Sequence, residues 1–312
     1  MLWQRATALT EGLVADLGGT NCRLGLCANG VVRRSSIKSY KINAFKNFNA
    51  LIARYLADQT EQDVPLICAG VAGPVRNGQA RLTNHHWTVD ATKLAKAFGA
   101  QNVHLINDLQ AQAYALDDLP ASSVCTLIEG SANEGGPRLV FCLGTGCNIA
   151  TAHRIGDGLF VPASESGHTS LPDFPQHRAL LDQLRLEEPH LPIEAALSSR
   201  GLSRLHAFLT GERLTSDEIV KKFPDETMKL FMKILGTCSG NLCLGHMATG
   251  GVYLIGGLAR AVAPFLNNDA FKSAFCARGP YKHIMEKIPV SVVTDDNAGL
   301  LGCARFLDSQ HK

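Results

Sequence analysis

Leu13-Val-Ala-Asp-Leu-Gly-Gly-Thr-Asn-Cys-Arg-Leu-Gly-Leu-Cys27 decides how the rest of the chain reads. Leu13–Ala15 is apolar enough for a buried strand, Asp16-Leu-Gly-Gly-Thr-Asn21 is an acidic glycine-rich turn, and Arg23–Cys27 leaves it as a second strand. The turn offers backbone N–H groups and the Thr20 hydroxyl beside one carboxylate. Such amides suit a phosphate chain, and Asp16 suits the metal ion that accompanies it. A structural hairpin accounts equally well for an isolated Asp-x-Gly-Gly. A second turn, Gly144-Thr-Gly146, follows another apolar run, Leu139–Leu143, and favours the ligand reading. Two such turns in two halves of one chain suggest a nucleotide held between two lobes.

A chain of 312 residues has room for two domains with cores of ordinary size. Net charge is +2, with no charge block, so nothing electrostatic argues for nucleic acid or a membrane surface as partner. No apolar run approaches the roughly 18 residues of a membrane span, and Met1–Gly12 lacks the apolar stretch of a secretory signal. The expectation is a cytoplasmic enzyme. The cysteines contain no Cys-x-x-Cys pair, and most lie inside apolar runs such as Leu66-Ile-Cys68 and Val140-Phe-Cys142. They read as small buried hydrophobes in a reducing compartment rather than as disulfides or metal ligands.

Leu13–Ala15, Arg23–Cys27 and Val31–Tyr40 read as a three-stranded meander, and Phe45–Ala57 as an amphipathic helix. Val64–Ala69 is a strand, Arg81–Thr83 a short one, and Asp90 caps a helix to Phe98. Val103–Ile106 is a strand running into Asn107-Asp108 and the helical stretch Leu109–Leu116. This order predicts a mixed sheet covered by helices. The second half repeats it: strands at Arg138–Leu143 and Asn148–Ile155, a helix between Pro172 and Pro192, and a long helix from Asp225 to Met247. That helix, with its paired small residues, reads as a buried scaffold or a dimer element. A strand follows at Gly251–Gly257, then the last strand, Ile288–Val293. A final helix, Asn297–Leu307, crosses back onto the N-terminal lobe.

Asn107-Asp108 falls where a strand ends and a helix begins, the usual place for a site in an open α/β sheet. A carboxylate there can take the proton of a substrate hydroxyl as that oxygen attacks phosphorus; capping the helix is the alternative use of Asp108. Glu165-Ser-Gly-His168 puts a carboxylate and an imidazole on one loop, a pairing that suits adjacent hydroxyls of a polyol. A solvated loop is the alternative; metal ligation finds no second His or Cys at a suitable spacing. Glu194, and Asn84 in Leu82-Thr-Asn-His-His-Trp87, would not be singled out by spacing alone.

Taken in order, Asp16–Asn21, Leu82–Trp87, Ile106-Asn-Asp108, Gly144-Thr-Gly146, Glu165-Ser-Gly-His168, Leu197-Ser-Ser-Arg-Gly-Leu202, Gly250-Gly-Val-Tyr-Leu-Ile-Gly-Gly257 and Asp296-Asn-Ala-Gly-Leu-Leu-Gly302 resemble the bacterial-type glucokinase family of the actin-like sugar kinases. The resemblance runs from Leu13 to Leu307. It implies a two-lobed α/β fold of the actin-like (ribonuclease H-like) kind, with mixed sheets and a central cleft. It implies a small domain of residues 1–114 completed by a C-terminal helix at 295–312, and a large domain of residues 115–294. It further implies ATP-dependent phosphorylation of glucose at the 6-hydroxyl. Asp108 matches the catalytic base; Asn107, Asp108, Glu165, His168 and Glu194 match the sugar-binding set. Asp16, Gly18, Gly19, Thr20 and Asn21, with Gly144, Thr145 and Gly146, match the phosphate turns, and Gly256 and Gly257 the adenosine side. Asp16 is also the match for the residue that faces Mg2+ through water. A homodimer is common in the family.

Three positions depart from the family pattern: Ser166 beside the sugar-binding Glu, Asn148 where a small residue is expected near the phosphates, and Ser199 shortly after Glu194. Each adds a side chain near the pocket and bears on nucleotide affinity and choice of hexose. The zinc-binding cysteine cluster of the related repressor/kinase family is absent. Competing readings are a kinase of another hexose or of an N-acetylated amino sugar, and a sugar-binding sensor without turnover. A dinucleotide oxidoreductase lacks its Gly-x-Gly-x-x-Gly after the first strand, and a P-loop kinase lacks its Gly-x-x-x-x-Gly-Lys-Ser/Thr.

Overall fold

The computed structural model describes residues 11–59, 63–83, 85–266 and 269–310. The chain forms two compact units, residues 1–119 with 296–312, and residues 120–295.

In the first unit, β1 (Glu11–Leu17) and β2 (Asn21–Ala28) form an antiparallel hairpin, followed by β3 (Val31–Val32) and β4 (Lys38–Lys41). Then come α1 (Phe48–Ala57), β5 (Leu66–Val71), the small sheet of β6 (Val75–Arg76), β7 (Gln79–Arg81) and β8 (Thr88–Asp90), α2 (Ala91–Phe98), β9 (Asn102–Asn107) and α3 (Asp108–Tyr114). The main sheet runs β3-β2-β1-β5-β9, with β4 also on β2; β1, β5 and β9 are parallel. β5 is buried along its whole length, as expected for a central parallel strand.

The continuous strand expected over Val31–Tyr40 is broken. Ser36 is buried, accepts the Leu26 N–H at 2.8 Å and donates to the Arg33 carbonyl at 2.6 Å, which coils Arg34–Ser36 into a 3-10 turn. The helix expected from Phe45 starts at Phe48, because the Asn47 side chain caps it by accepting the Ala50 N–H. The short strand expected at Arg81–Thr83 lies at Gln79–Arg81 instead. Asp90 does cap α2, whose C-cap is the left-handed Gly99. The C-terminal helix (Ala298–Ser309) packs on α3 in this same unit. A Cβ at Gly302 would stand 1.6 Å from the Ala111 carbonyl oxygen, so only glycine lets these two helices meet so closely.

In the second unit, β10 (Val124–Ile128) is followed by β11 (Arg138–Leu143), β12 (Cys147–Ile155) and β13 (Gly158–Phe160). Helices α4 (Arg178–Glu187), α5 (Ser199–Thr210), α6 (Ser216–Lys222) and α7 (Asp225–His246) come next. The unit closes with β14 (Val252–Ile255), α8 (Gly257–Val262), α9 (Asp269–Cys276), α10 (Lys282–Met285) and β15 (Val290–Val293). Its sheet runs β10-β15-β14-β11-β12-β13. The hairpin β11–β12 with parallel β14 and β15 repeats the arrangement of β1–β2 with β5 and β9. The paired small residues of α7 serve packing within the unit: a Cβ at Gly236 or Gly240 would come 2.4 Å from Phe271 O or 2.6 Å from Phe275 O of α9. Eight of the ten cysteines are buried, and all ten are free thiols. Among the described residues no helix is long and apolar enough to cross a membrane.

Candidate active site

In the first unit the site residues gather at the carboxyl ends of β1 and β9. The hairpin register pairs Asp16 with Arg23, so both side chains stand on one face of the sheet, with Arg23 Nη1 3.6 Å from Asp16 Oδ2. Burial raises the Asp16 carboxyl pKa; Arg23 opposes that shift and Asp296 adds to it. The C-terminal helix presents Gly299 to the same carboxylate, where a Cβ would lie 2.9 Å from Asp16 Cγ. Asp296, Gly299 and Asp16 are therefore one neighbourhood, a relation that separate motifs did not disclose. The turn itself is closed by the Gly18 N–H donating to Asn21 O at 3.0 Å, with Gly19 half-buried and Thr20 exposed.

Asn107 and Asp108 sit at the β9–α3 junction. The expected choice for Asp108, base or cap, finds Asn107 in the capping position: its Oδ1 accepts the Leu109 N–H at 2.9 Å, and the Gln110 side chain closes a capping box. Asn107 Nδ2 also donates to Gly73 O at 3.2 Å, tying α3 to the turn after β5. Asp108 is the first helical residue, partly exposed, and its Oδ1 also accepts the Leu109 N–H. The Asn84 position lies outside the described residues.

In the second unit, the turn Gly144-Thr145-Gly146 joins β11 to β12, with Thr145 exposed at its tip and Gly144 open to space. Gly256 packs against this hairpin. Its φ is +98°, and a Cβ there would stand 2.3 Å from Leu143 O, so glycine is required twice over. Gly257 opens α8 with no atom within 4 Å of a Cβ position. Glu194 faces the same turn: its Oε2 accepts the Cys147 N–H at 3.0 Å, and Arg200 approaches Oε1 at 3.9 Å. Glu165 precedes a 3-10 turn over Ser166–His168, and His168 ends it. A Cβ at Gly167 would fall 1.7 Å from Cys147 O, so this turn is seated directly on the start of β12. Burial raises the Glu165 pKa, with His168 opposing and Glu194 adding to the shift. His168 and Glu194 are thus each within electrostatic reach of Glu165, which sequence spacing could not show for Glu194.

Two of the three departures have backbone or local explanations. Ser199 opens α5 and its N–H donates to Gly144 O at 2.8 Å, a contact any residue but proline makes. The Ser166 hydroxyl bonds that of Ser164 at 2.8 Å. Asn148, expected beside the phosphates, instead turns its side chain to Ser164, Glu165 and Gly167.

The residues present fit the groups that the resemblance implies. Mg2+ takes oxygen donors, keeps several waters and needs only one or two protein carboxylates. Asp16 with Asp296 supplies that set, and the described residues hold no group of three or more His, Cys, Asp or Glu that would suit a closed protein cage. Within each unit the turn leaves its backbone N–H groups open to a phosphate: Thr20 is exposed in the first, and Thr145 is exposed with open space at Gly144 and Gly257 in the second.

Two mixed α/β sheets carrying glycine turns at the ends of their hairpins define an actin-like sugar kinase. Glucokinase from an Antarctic psychrotroph shares the fold with a TM-score of 0.85 at 29% identity, over 96% of this chain and 99% of the other. Glucokinase from Balamuthia mandrillaris, solved in complex with glucose, gives 0.78 at 22% identity, over 98% and 95%. Residues 13–310 match the glucokinase family model. A glucokinase of Psychromonas ingrahamii is 32% identical over 309 residues, 95% of this chain and 96% of the relative. The chain belongs to the glucokinase family, and its activity is that of a glucokinase.

Proposed function

We propose that this chain transfers the γ-phosphoryl group of ATP to the 6-hydroxyl of glucose with Asp108 as general base. The observation that carries the reading is the division of labour at the β9–α3 junction: the cap is Asn107, and Asp108 stands beside it as a partly exposed carboxylate. Asp108 takes the 6-hydroxyl proton as the O6–phosphorus bond forms; the bond from phosphorus to the β,γ-bridging oxygen breaks, and ADP leaves. Asn107, Glu165, His168 and Glu194 hold the other hydroxyls. Every hydroxyl buried without a partner costs about 1–3 kcal/mol, which is why a sugar site needs such paired polar groups.

The turns Asp16–Asn21 and Gly144–Gly146 hold the phosphates through backbone N–H groups, and Gly256 and Gly257 leave room on the adenosine side. Asp16 would hold Mg2+ through water, and the ion would supply neutralisation of phosphate charge. The unit of residues 1–119 and 296–312 acts as the small domain and 120–295 as the large one, and the active species is a homodimer, as is common in the family; sedimentation at working concentration tests that last point. Excluding water from the bound pair protects the phosphoryl group from hydrolysis.

The experiment is ADP release from Mg-ATP with glucose, mannose, fructose, galactose, N-acetylglucosamine and N-acetylmannosamine in turn, for wild type and Asp108→Asn. Turnover confined to glucose and lowered at least about a hundredfold in the variant is the expected result. Near-wild-type turnover of Asp108→Asn overturns the assigned base, and a different preferred hexose overturns the substrate.

A further inference from the structure

We infer that Asn148 is a positioning residue for sugar binding: it holds Glu165 by one carboxylate oxygen and so aims the other at the sugar. This rests on the reading of Glu165 as a sugar ligand. The Asn148 amide makes four hydrogen bonds. Nδ2 donates to Ser164 O and to Glu165 Oε2, both at 2.9 Å. Oδ1 accepts the Ile149 N–H at 2.8 Å and the Gly167 N–H at 3.2 Å. Two donors and two acceptor sites are all that an asparagine amide offers. Its orientation follows from the partners, since two N–H groups face one end and two oxygens the other.

Scaffolding alone would need only three of these bonds. Those to Ser164 and Gly167 fasten the loop to β12, the one to Ile149 fixes the amide on its own strand, and the Ser164 and Ser166 hydroxyls bond each other. The fourth bond acts on the functional group. The Glu165 side chain is partly open to solvent, and without an anchor it would sample several rotamers and lose that freedom on binding sugar. The charged groups facing it are His168 and Glu194, and Glu194 disfavours its ionisation, as does burial. An amide donor on Oε2 favours the ionised form and leaves Oε1 as the acceptor. A hydroxyl is recognised by an acceptor fixed in direction, so this anchoring bears on glucose affinity and not on the phosphoryl step.

Steady-state kinetics on the full chain test the inference, with Asn148→Ala, Asn148→Asp, Glu165→Ala and the Asn148→Ala/Glu165→Ala pair. Loss of one bond to a carboxylate should raise the glucose KM of Asn148→Ala roughly tenfold, with kcat and the ATP KM within about twofold of wild type. Asn148→Asp keeps the acceptor for Ile149 and Gly167 but sets a second carboxylate against Glu165, so its glucose KM should rise further. In the Glu165→Ala background, Asn148→Ala should add nothing. The inference is overturned by an unchanged glucose KM in Asn148→Ala, by equal losses for glucose and ATP, or by effects that simply add in the pair. Should Asn148→Ala not fold, Asn148→Ser and Asn148→Asp carry the same cycle. A wild-type glucose KM in Glu165→Ala would instead sink the reading of Glu165 as a ligand, and the inference with it; a raised KM there beside an unaffected Asn148→Ala sinks the inference alone.

Discussion

Glu194 occupies the space that a side chain on Gly146 would need. A Cβ there would be 2.8 Å from Glu194 Oε2, and the same oxygen accepts the N–H of Cys147, the next residue. The glycine of the proposed phosphate turn and the carboxylate proposed to bind sugar are therefore mechanically joined. Gly146→Ala must push the Glu194 carboxylate off the Cys147 N–H. Because the obstructing atom is the end of a flexible side chain, stability should fall by no more than about 2 kcal/mol. The glucose KM should rise together with the ATP KM, measured by varying each substrate at saturation of the other.

Asp108→Asn should fold as well as wild type, since the capping box belongs to Asn107 and Gln110. Turnover should drop about 10²–10⁴-fold, the usual worth of a positioned base. Glucose affinity, read by calorimetric titration, should stay close to wild type. Asn107→Ala should show the opposite pattern, losing about 1 kcal/mol or more of stability with its cap and its bond to Gly73.

Gly256 and Gly257 are neighbours with different physics. Gly256→Ala combines a left-handed φ with a collision against a backbone oxygen, so denaturant unfolding should show a loss of about 3 kcal/mol or more. Gly257→Ala meets nothing and opens a helix, so stability should hold within about 1 kcal/mol. Its ATP KM should nevertheless rise, which would separate ligand contact from folding at adjacent positions.

The Asp16 carboxyl stands in a place that disfavours its charged form, because burial and Asp296 outweigh Arg23. A carboxyl whose folded pKa is raised contributes most to stability below its unfolded pKa, and that contribution is lost as pH rises through the folded value. At neutral pH the folded protein therefore bears a cost that Asp16→Asn removes. The melting temperature of that variant should equal or exceed wild type, while its activity at low Mg2+ falls. A clear drop in melting temperature would contradict the balance described for Asp16.

The Glu165 shift has the same sign and a functional readout. On the proposed reading its ionised form accepts the sugar hydroxyl, and burial moves its pKa above the ordinary 4.5. The glucose KM should begin to rise at a higher pH on acidification than an unshifted glutamate would allow. Glu165→Gln should flatten that limb of the pH profile.

Local pattern and turn chemistry determined much of this protein before any folding. The apolar run Leu13–Ala15 before Gly18-Gly19-Thr20, the cap at Asp90, the strand-to-helix step at Asn107-Asp108 and the hairpin turn Gly144–Gly146 were legible, because each depends on residues within a few positions of one another. The interruption of the third strand was not, because it hangs on Ser36 finding Leu26 across the sheet. Nor was the neighbourhood of Asp16 with Asp296, which are 280 residues apart. The position of Asn148 in the motif places it near the phosphates, but its amide donates to Glu165, since the direction of a side chain is set by its packing partners rather than by its position in the motif. Sequence alone specified which chemical groups this protein owns and which short elements carry them. Only the tertiary structure decided which of those groups meet, because hydrogen bonds and burial act over a few ångströms between residues far apart along the chain.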